Sequence, residues 1–462
     1  MSSLKNKSRF SMDMCSGSIP KKMIVFALPL MLSSLLQLLF NAADIIVVGN
    51  YAGDESLAAV GATSTLINLM TNLFIGMSVG ANVLTANYFA AGHEKDLSKT
   101  VHTAMTVSIL SGLFLTAVGV IAAPYVLKLM QTPDDVIGLA TVYLRTYFCG
   151  MTAVMVYNFG SAILRATGDT QRSLYFLFAA GIVNIVLNLI FVIVFHWGVF
   201  GVGLATVISQ VISGTLVFYC LLRENSAIRV DIRQLHIDKH KLARILQIGL
   251  PAGLQGMMFS LANVVIQSSV NTFGTTVIAG NSASANVEGF AFTSMNAFHQ
   301  AAVSFTGQNA GARKYKRLNK ILFTALGYVS IVGAVFCLIY ILFSHPLISL
   351  YTDSEAVIDA GVKRLMIIAC SYVVCGMMDV VVGSLRGLGY SFMPMLVSLV
   401  GICALRVVWI ATVFQLPQYH TIEMIYYTYP LSWIITLSAH LLCYCFVHRY
   451  IKKKWAPIAD VD

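Results

Sequence analysis

The sequence predicts an all-α membrane protein of twelve transmembrane helices, arranged as two six-helix lobes with pseudo-two-fold symmetry along the membrane normal. Three observations carry that prediction. Of the 462 residues 57% are hydrophobic and only 11% are charged, well below the roughly 25% charge of a soluble domain. The apolar residues fall in runs long enough to cross a bilayer, which takes about 20 residues as helix. Short motifs also recur in register about 220 residues apart, the mark of an internal duplication.

The apolar segments run 24–49, 57–89, 101–127, 137–163, 174–195, 199–222, 246–272, 277–306, 321–343, 357–385, 392–416 and 423–448. An even number puts both termini on one side. With that side cytoplasmic, the inner segments hold Lys5, Lys7, Arg9, Lys21 and Lys22, then the basic residues of every other inner connection. Together these are 25 of the 30 Lys and Arg. The positive-inside rule therefore orients the chain with both termini in the cytoplasm of a plasma membrane. The outer connections are short and carry acids such as Asp54, Glu55, Asp134, Asp135, Asp353 and Glu355. Residues 1–22 are polar and basic, without the short apolar core and small-residue cleavage site of a signal peptide, so the first segment reads as a retained span.

Leu28-Pro29 opens the first span and Leu250-Pro251 the seventh. Ala91-Gly92-His93 is matched by Ala310-Gly311-Ala312-Arg313, and Leu164-Arg165 with Gly168 by Leu385-Arg386 with Gly389. Six spans per half is an even number, so both halves enter the membrane from the same face, as in parallel-repeat transporters. The expected division is an N-terminal lobe at 1–222, a cytoplasmic linker at 223–245 and a C-terminal lobe at 246–462. The linker is expected to be a solvated connector, in part an amphipathic surface helix, with no substrate role.

The net charge of +10 does not indicate a nucleic-acid partner, because the basic residues sit in short connections between spans. The nine cysteines lie mostly inside apolar segments without CxxC pairing and read as small buried hydrophobes. His102 and His299 have no second ligand three or four residues away, so neither marks a metal site. No GxxxxGK[ST] loop, serine elbow or HExxH is present, and no His, Asp and Cys residues converge as an enzyme would require. Any pumping must then draw on an ion gradient. One charge crossing 100 mV is worth about 2.3 kcal/mol, roughly a fiftyfold solute gradient.

The first span carries the sharpest signal. Gln37, Asn41 and Asp44 recur at helical spacing on one stripe of an otherwise apolar helix, and a polar stripe is expensive against lipid. It should face a protein interior or a wet cavity. In the fifth span Asn184 and Asn188 share one face, and counting the helical rise places Asn188 at a depth similar to Asp44. A desolvated carboxylate with amides beside it is suited to exchange a proton or bind a small cation. The bland readings stay open: a helix-packing hydrogen bond for Asp44, interhelical glue for the asparagines. The second lobe has its own embedded charges in Glu288, Asp379 and Arg406. Depth counting favours Glu288 with Arg406 as a compensating pair, against a substrate or ion role, and leaves Asp379 nearer the cytoplasmic end as the looser acid.

At these residues the chain resembles the multidrug and toxic compound extrusion (MATE) family. The resemblance is carried by LPLMLSSLLQLLFNAADIIVVG at 28–49, ILRATGDT at 163–170, NIVLN at 184–188, GLPAGL at 249–254, FTGQNAGA at 305–312 and SLRGLGYSFMP at 384–394. It implies a two-lobed exporter with a central cavity open alternately to either side, driven by Na+ or H+ entry. Asp44 matches the family's first-span acid and Asn184 its fifth-span asparagine. Asn188 departs from the pattern, since one branch places an aspartate there. A glutamate that another branch carries soon after GLP is absent too, with Phe259 at about that place. One carboxylate in the first lobe implies one proton or one sodium per cycle.

The expected function is thus secondary active efflux of amphipathic or cationic small molecules in exchange for H+ or Na+. No cofactor beyond the coupling ion is expected, and the protein is expected to act as a monomer in the lipid bilayer. The alternative is a lipid-linked precursor flippase of the same plan, for which only Arg406 and Arg145 are placed to meet a diphosphate.

Overall fold

A computed structural model describes residues 10–130, 132–369 and 371–455. Lys5, Lys7 and Arg9, counted above toward the inner face, lie outside them, as does the side chain of Asp54. Every regular element among the described residues is helical. Helices α1 (Ile19–Tyr51), α2 (Asp54–Ala91) and α3 (Glu94–Leu129) are long and single. The fourth span is a bent pair, α4 (Asp134–Cys149) and α5 (Met151–Ala166), meeting at 46°. Helix α6 (Gln171–Leu189) runs into a π-helical turn at Ile190–Val194, and α7 (Gly198–Leu222) ends the first six.

The second half repeats this order. Helices α8 (Lys239–Asn271), α9 (Thr275–Gly311) and α10 (Tyr315–Ser349) are long, and α11 (Glu355–Ala369) and α12 (Tyr372–Gly387) bend at 48°. The eleventh span is α13 (Phe392–Ser398), a π-helical turn at Leu399–Ala404, and α14 (Leu405–Ala411); α15 (Ile422–Tyr426) and α16 (Thr428–Trp455) make the last. Even the bends and π turns recur, so the duplication seen in short motifs extends to local geometry.

Nine single helices are long and apolar enough to cross a bilayer, and the two bent pairs raise the number to eleven. The expected eighth span is α9. Its 37 residues suffice for a crossing, but Asn281, Ser284 and Glu288 among others make it the most polar of the twelve segments, and it lines up these groups inside its lobe.

The chain packs as two compact units, Met1–Asp13 with Leu32–Gly253, and Met14–Met31 with Leu254–Asp462. These boundaries differ from those read from the sequence, because side-chain contacts and not hydropathy decide them. In the second unit the start of α1 packs on α9, with the rings of Phe26 and Phe305 5.7 Å apart. The Met14 amide donates to Gln308 Oε1 at 3.3 Å, and Asn309 Nδ2 donates to the Met14 carbonyl at 3.0 Å, which gives the FTGQNAGA motif a structural task. In the first unit Thr167 of the ILRATGDT motif accepts from the Met12 amide at 3.1 Å. Close approach here needs glycine: a Cβ on Gly112 would sit 2.4 Å from Thr152 Cα, where α3 crosses α5.

The linker corrects an expectation. It holds no amphipathic helix, only a single short turn at Ile232–Gln234, and it is docked on α3 of the first unit. Ile228 and Val230 are buried in that unit's core. The Asp231 amide donates to His102 Nε2 at 3.0 Å, while His102 Nδ1 lies 2.8 Å from the Ser98 carbonyl. The lone histidine of α3 is therefore a linker anchor. Asp238 caps α8: its carboxylate accepts from the backbone amides of Lys241 at 3.1 Å and His240 at 3.0 Å, donors that hold its carboxyl below the usual range. A depressed carboxyl stabilises the fold above its unfolded value, about pH 4, and loses that contribution as pH falls through the lower folded value. Amide protection at His240 and Lys241 is thus expected to hold between about pH 5 and 8. Asp238→Ala should abolish it at neutral pH, as read by hydrogen exchange.

Candidate functional site

The first unit encloses a cavity of about 400 Å3. Helix α1 lines it with the polar stripe Gln37, Asn41 and Asp44, as its spacing requires. Phe40, Tyr143, Tyr147 and Tyr157 give it aromatic walls. Its other polar groups include Asn68 and Thr71 of α2, Asn158 of α5, and Thr206, Ser209, Gln210 and Ser213 of α7. Asp44 is the one charged residue among those lining it.

Asp44 and the fifth span meet directly. Asn188 Nδ2 donates to Asp44 Oδ1 and lies 3.5 Å from Asn184 Oδ1. Asn184 and Asn188 are 2% and 1% exposed, whereas Asp44 is half-buried and opens on the cavity. No basic residue among those described pairs with Asp44, and the buried Asn188 Oδ1 accepts no hydrogen bond. An acid with one amide donor and oxygens of Asn184 and Asn188 beside it is a set of hard donors suited to a proton or a small cation. The π turn that begins two residues after Asn188 lies where such turns recur, at functional sites.

In the second unit Arg364 of α11, not Arg406, compensates Glu288. Arg364 Nε donates to Glu288 Oε1 at 2.9 Å and Nη2 to Oε2 at 2.8 Å, a bidentate pair that Ser284 and Tyr372 complete with hydroxyl donors at 2.9 and 3.1 Å. Arg364 Nη1 also reaches Asn281 Oδ1 at 2.6 Å. Depth alone had paired Glu288 with Arg406, but α9 packs against α11 and α12, so azimuth selects Arg364. Asp379 is half-buried on α12, where the charge of Arg386 acts on it two turns away. Its backbone carbonyl lies 2.7 Å from His299 Nδ1. Arg145, named as a second candidate for a diphosphate, spends its Nε on the Val120 carbonyl at 3.1 Å and does not line the cavity.

A membrane-spanning repeat with an acid-bearing pocket in one lobe is the build of a carrier. The MatE family model matches residues 29–190 and again 251–412. The chain therefore belongs to the MatE family of transporters, and the two matches coincide with its two halves. It is 27% identical over 446 residues to the probable multidrug resistance protein YoeA of Bacillus subtilis (strain 168), covering 95% of each chain. It is 27% identical over 410 residues to the probable multidrug resistance protein YpnP of the same organism, covering 85% of this chain and 88% of that one. Among solved structures, an outward-facing multidrug resistance MATE family transporter of the MOP superfamily matches its fold with a TM-score of 0.90 at 21% identity, over 97% of this chain and 100% of that one.

Proposed function

We propose that the chain is a secondary active exporter that exchanges small amphipathic or cationic molecules for H+ or Na+, with Asp44 as the group over which the two compete. The observation that carries this is a single acid, bonded by Asn188 and facing a cavity with no other charged lining residue. A cavity of about 400 Å3 with four aromatic walls has the size and character of a small-molecule pocket, and ring faces favour organic cations. A solute cation and a coupling ion cannot both neutralise one carboxylate, so entry of one displaces the other. That is exchange. The related proteins named for multidrug resistance support the same class of solute. Both termini face the cytoplasm of the plasma membrane in this reading, and one chain suffices.

A lipid-linked diphosphate needs several cations around it. The cavity lining supplies none, which weighs against the flippase alternative. The test is accumulation of ethidium in proteoliposomes holding the purified protein, with a proton or a sodium gradient imposed separately. One of the two gradients is expected to drive accumulation and so to name the ion. Transport indifferent to both would overturn the proposal.

A further inference from the structure

The buried charges of the second unit leave one remainder. Glu288 and Arg364 neutralise each other, and Asp379 is answered by the charge of Arg386. Arg406 of α14, 4% exposed, has no such answer. Its Nε donates to Ser432 Oγ at 3.0 Å, while Nη2 has no hydrogen-bond partner. The groups whose charge acts on it are Tyr429, Cys375, Cys403 and Tyr372, none of them a carboxylate. The rings of Tyr429 and Trp433 lie 4.1 and 5.7 Å from the guanidinium carbon.

A lone guanidinium at this burial costs several kcal/mol, more than cation–π contacts of about 2 kcal/mol return. Its position sharpens the point. Displaced by the repeat offset of about 220 residues, the Asn184 turn of the fifth span falls on the Arg406 turn of the eleventh, and each adjoins a π turn, Ile190–Val194 and Leu399–Ala404. One unit thus presents an uncompensated acid at this place in the repeat, and the other an uncompensated base.

We infer that Arg406 is the anchor of an anion site in the second unit, and that its ligand is the carboxylate of an aromatic or otherwise apolar organic acid. With Nε held by Ser432 and one ring face covered by Tyr429, the open donor is Nη2, reached edge-on. A phosphate dianion would call for a second cation here. The surrounding rings and the thiols of Cys375 and Cys403 instead suit an apolar body carrying a single charge. Chloride shares the charge but not the body.

The test is binding of 2-naphthoate to the full chain in nanodiscs, with chloride as competitor and 2-naphthylmethylammonium as the charge-inverted control. Saturable binding of one naphthoate per chain, tighter than chloride, is expected. Arg406→Gln should weaken it at least about tenfold and Arg406→Lys by less, with the ammonium compound unaffected by either. Arg406→Gln protein that still binds the ammonium compound is folded. Should that variant not fold, the thermal midpoint of the wild type decides, since a ligand bound only to the native state must raise it. Naphthoate binding unchanged in Arg406→Gln, or no rise in the wild-type midpoint with naphthoate, would sink the site. Naphthoate binding no tighter than chloride would leave an inorganic-anion site and overturn the assignment of an organic acid.

Discussion

Asp44→Asn is expected to reduce gradient-driven export at least about a hundredfold while leaving the chain folded. The asparagine keeps the shape of the side chain and can accept from Asn188 Nδ2 through its own oxygen, so the hydrogen bond that ties α1 to α6 survives. What vanishes is the charge, the one feature among the cavity-lining residues that tells a cation-loaded pocket from an empty one. A ligand with equal affinity for two states shifts neither, so a neutral pocket no longer links solute release to ion entry. The size of the effect follows from the same arithmetic: coupling worth about 2.7 kcal/mol is a factor of a hundred in population. Asn188→Asp makes a useful companion. It would set two carboxylates within hydrogen-bond reach, and like charges that close share a proton, so export should persist with a shifted pH profile. Initial rates of dye uptake under an imposed gradient measure both. Full activity in Asp44→Asn would contradict the account.

The second large effect is on stability. Arg364→Leu is expected to destabilise the protein by about 3–5 kcal/mol, because it strands Glu288 as a buried, unpaired carboxylate. Both side chains are nearly inaccessible, at 7% and 3% exposure, so water offers no relief. The double variant Glu288→Leu/Arg364→Leu should recover most of the loss, since replacing a whole buried pair by apolar side chains is often neutral or better. The pair sits beside the 48° bend between α11 and α12, with Tyr372 donating to Glu288 from just past it. The damage is therefore expected to appear first as exchange of amides flanking that bend. Denaturant titration in mixed micelles reads the energies, and a single-variant cost below about 1 kcal/mol, the worth of an exposed pair, would mean that the pair is not held as described.

Much of the fold was legible because hydropathy and duplication are one-dimensional signals. Twelve apolar segments, Leu-Pro at the head of spans one and seven, and the Leu-Arg motifs after spans four and ten needed no knowledge of neighbours. Asp44, Asn184 and Asn188 were legible for a related reason: helical spacing fixes which face they share, and depth fixes which can meet. The pairing of Glu288 was not legible, since depth is silent on azimuth and the packing of α9 on α11 selects Arg364 over Arg406. The seventh helix of the structure carried a signal that went unused. Thr206, Ser209, Gln210 and Ser213 recur at the same helical spacing as Gln37, Asn41 and Asp44 and line the same cavity, but without a charge among them they resemble ordinary packing residues. The linker was misjudged because its two buried residues, Ile228 and Val230, are too few to give a periodicity.

The central claim is that one carboxylate is shared in turn by solute and ion. Its most direct test reverses the usual experiment: proteoliposomes are loaded with ethidium, no ion gradient is imposed, and an internal dye reports pH or Na+. Downhill exit of the solute should drive transient uphill entry of the same ion that powers export, about one ion for each solute charge released, and Asp44→Asn should show no ion movement. Ion movement that persists in the variant, or solute exit from the wild type with no ion movement at all, would contradict the claim.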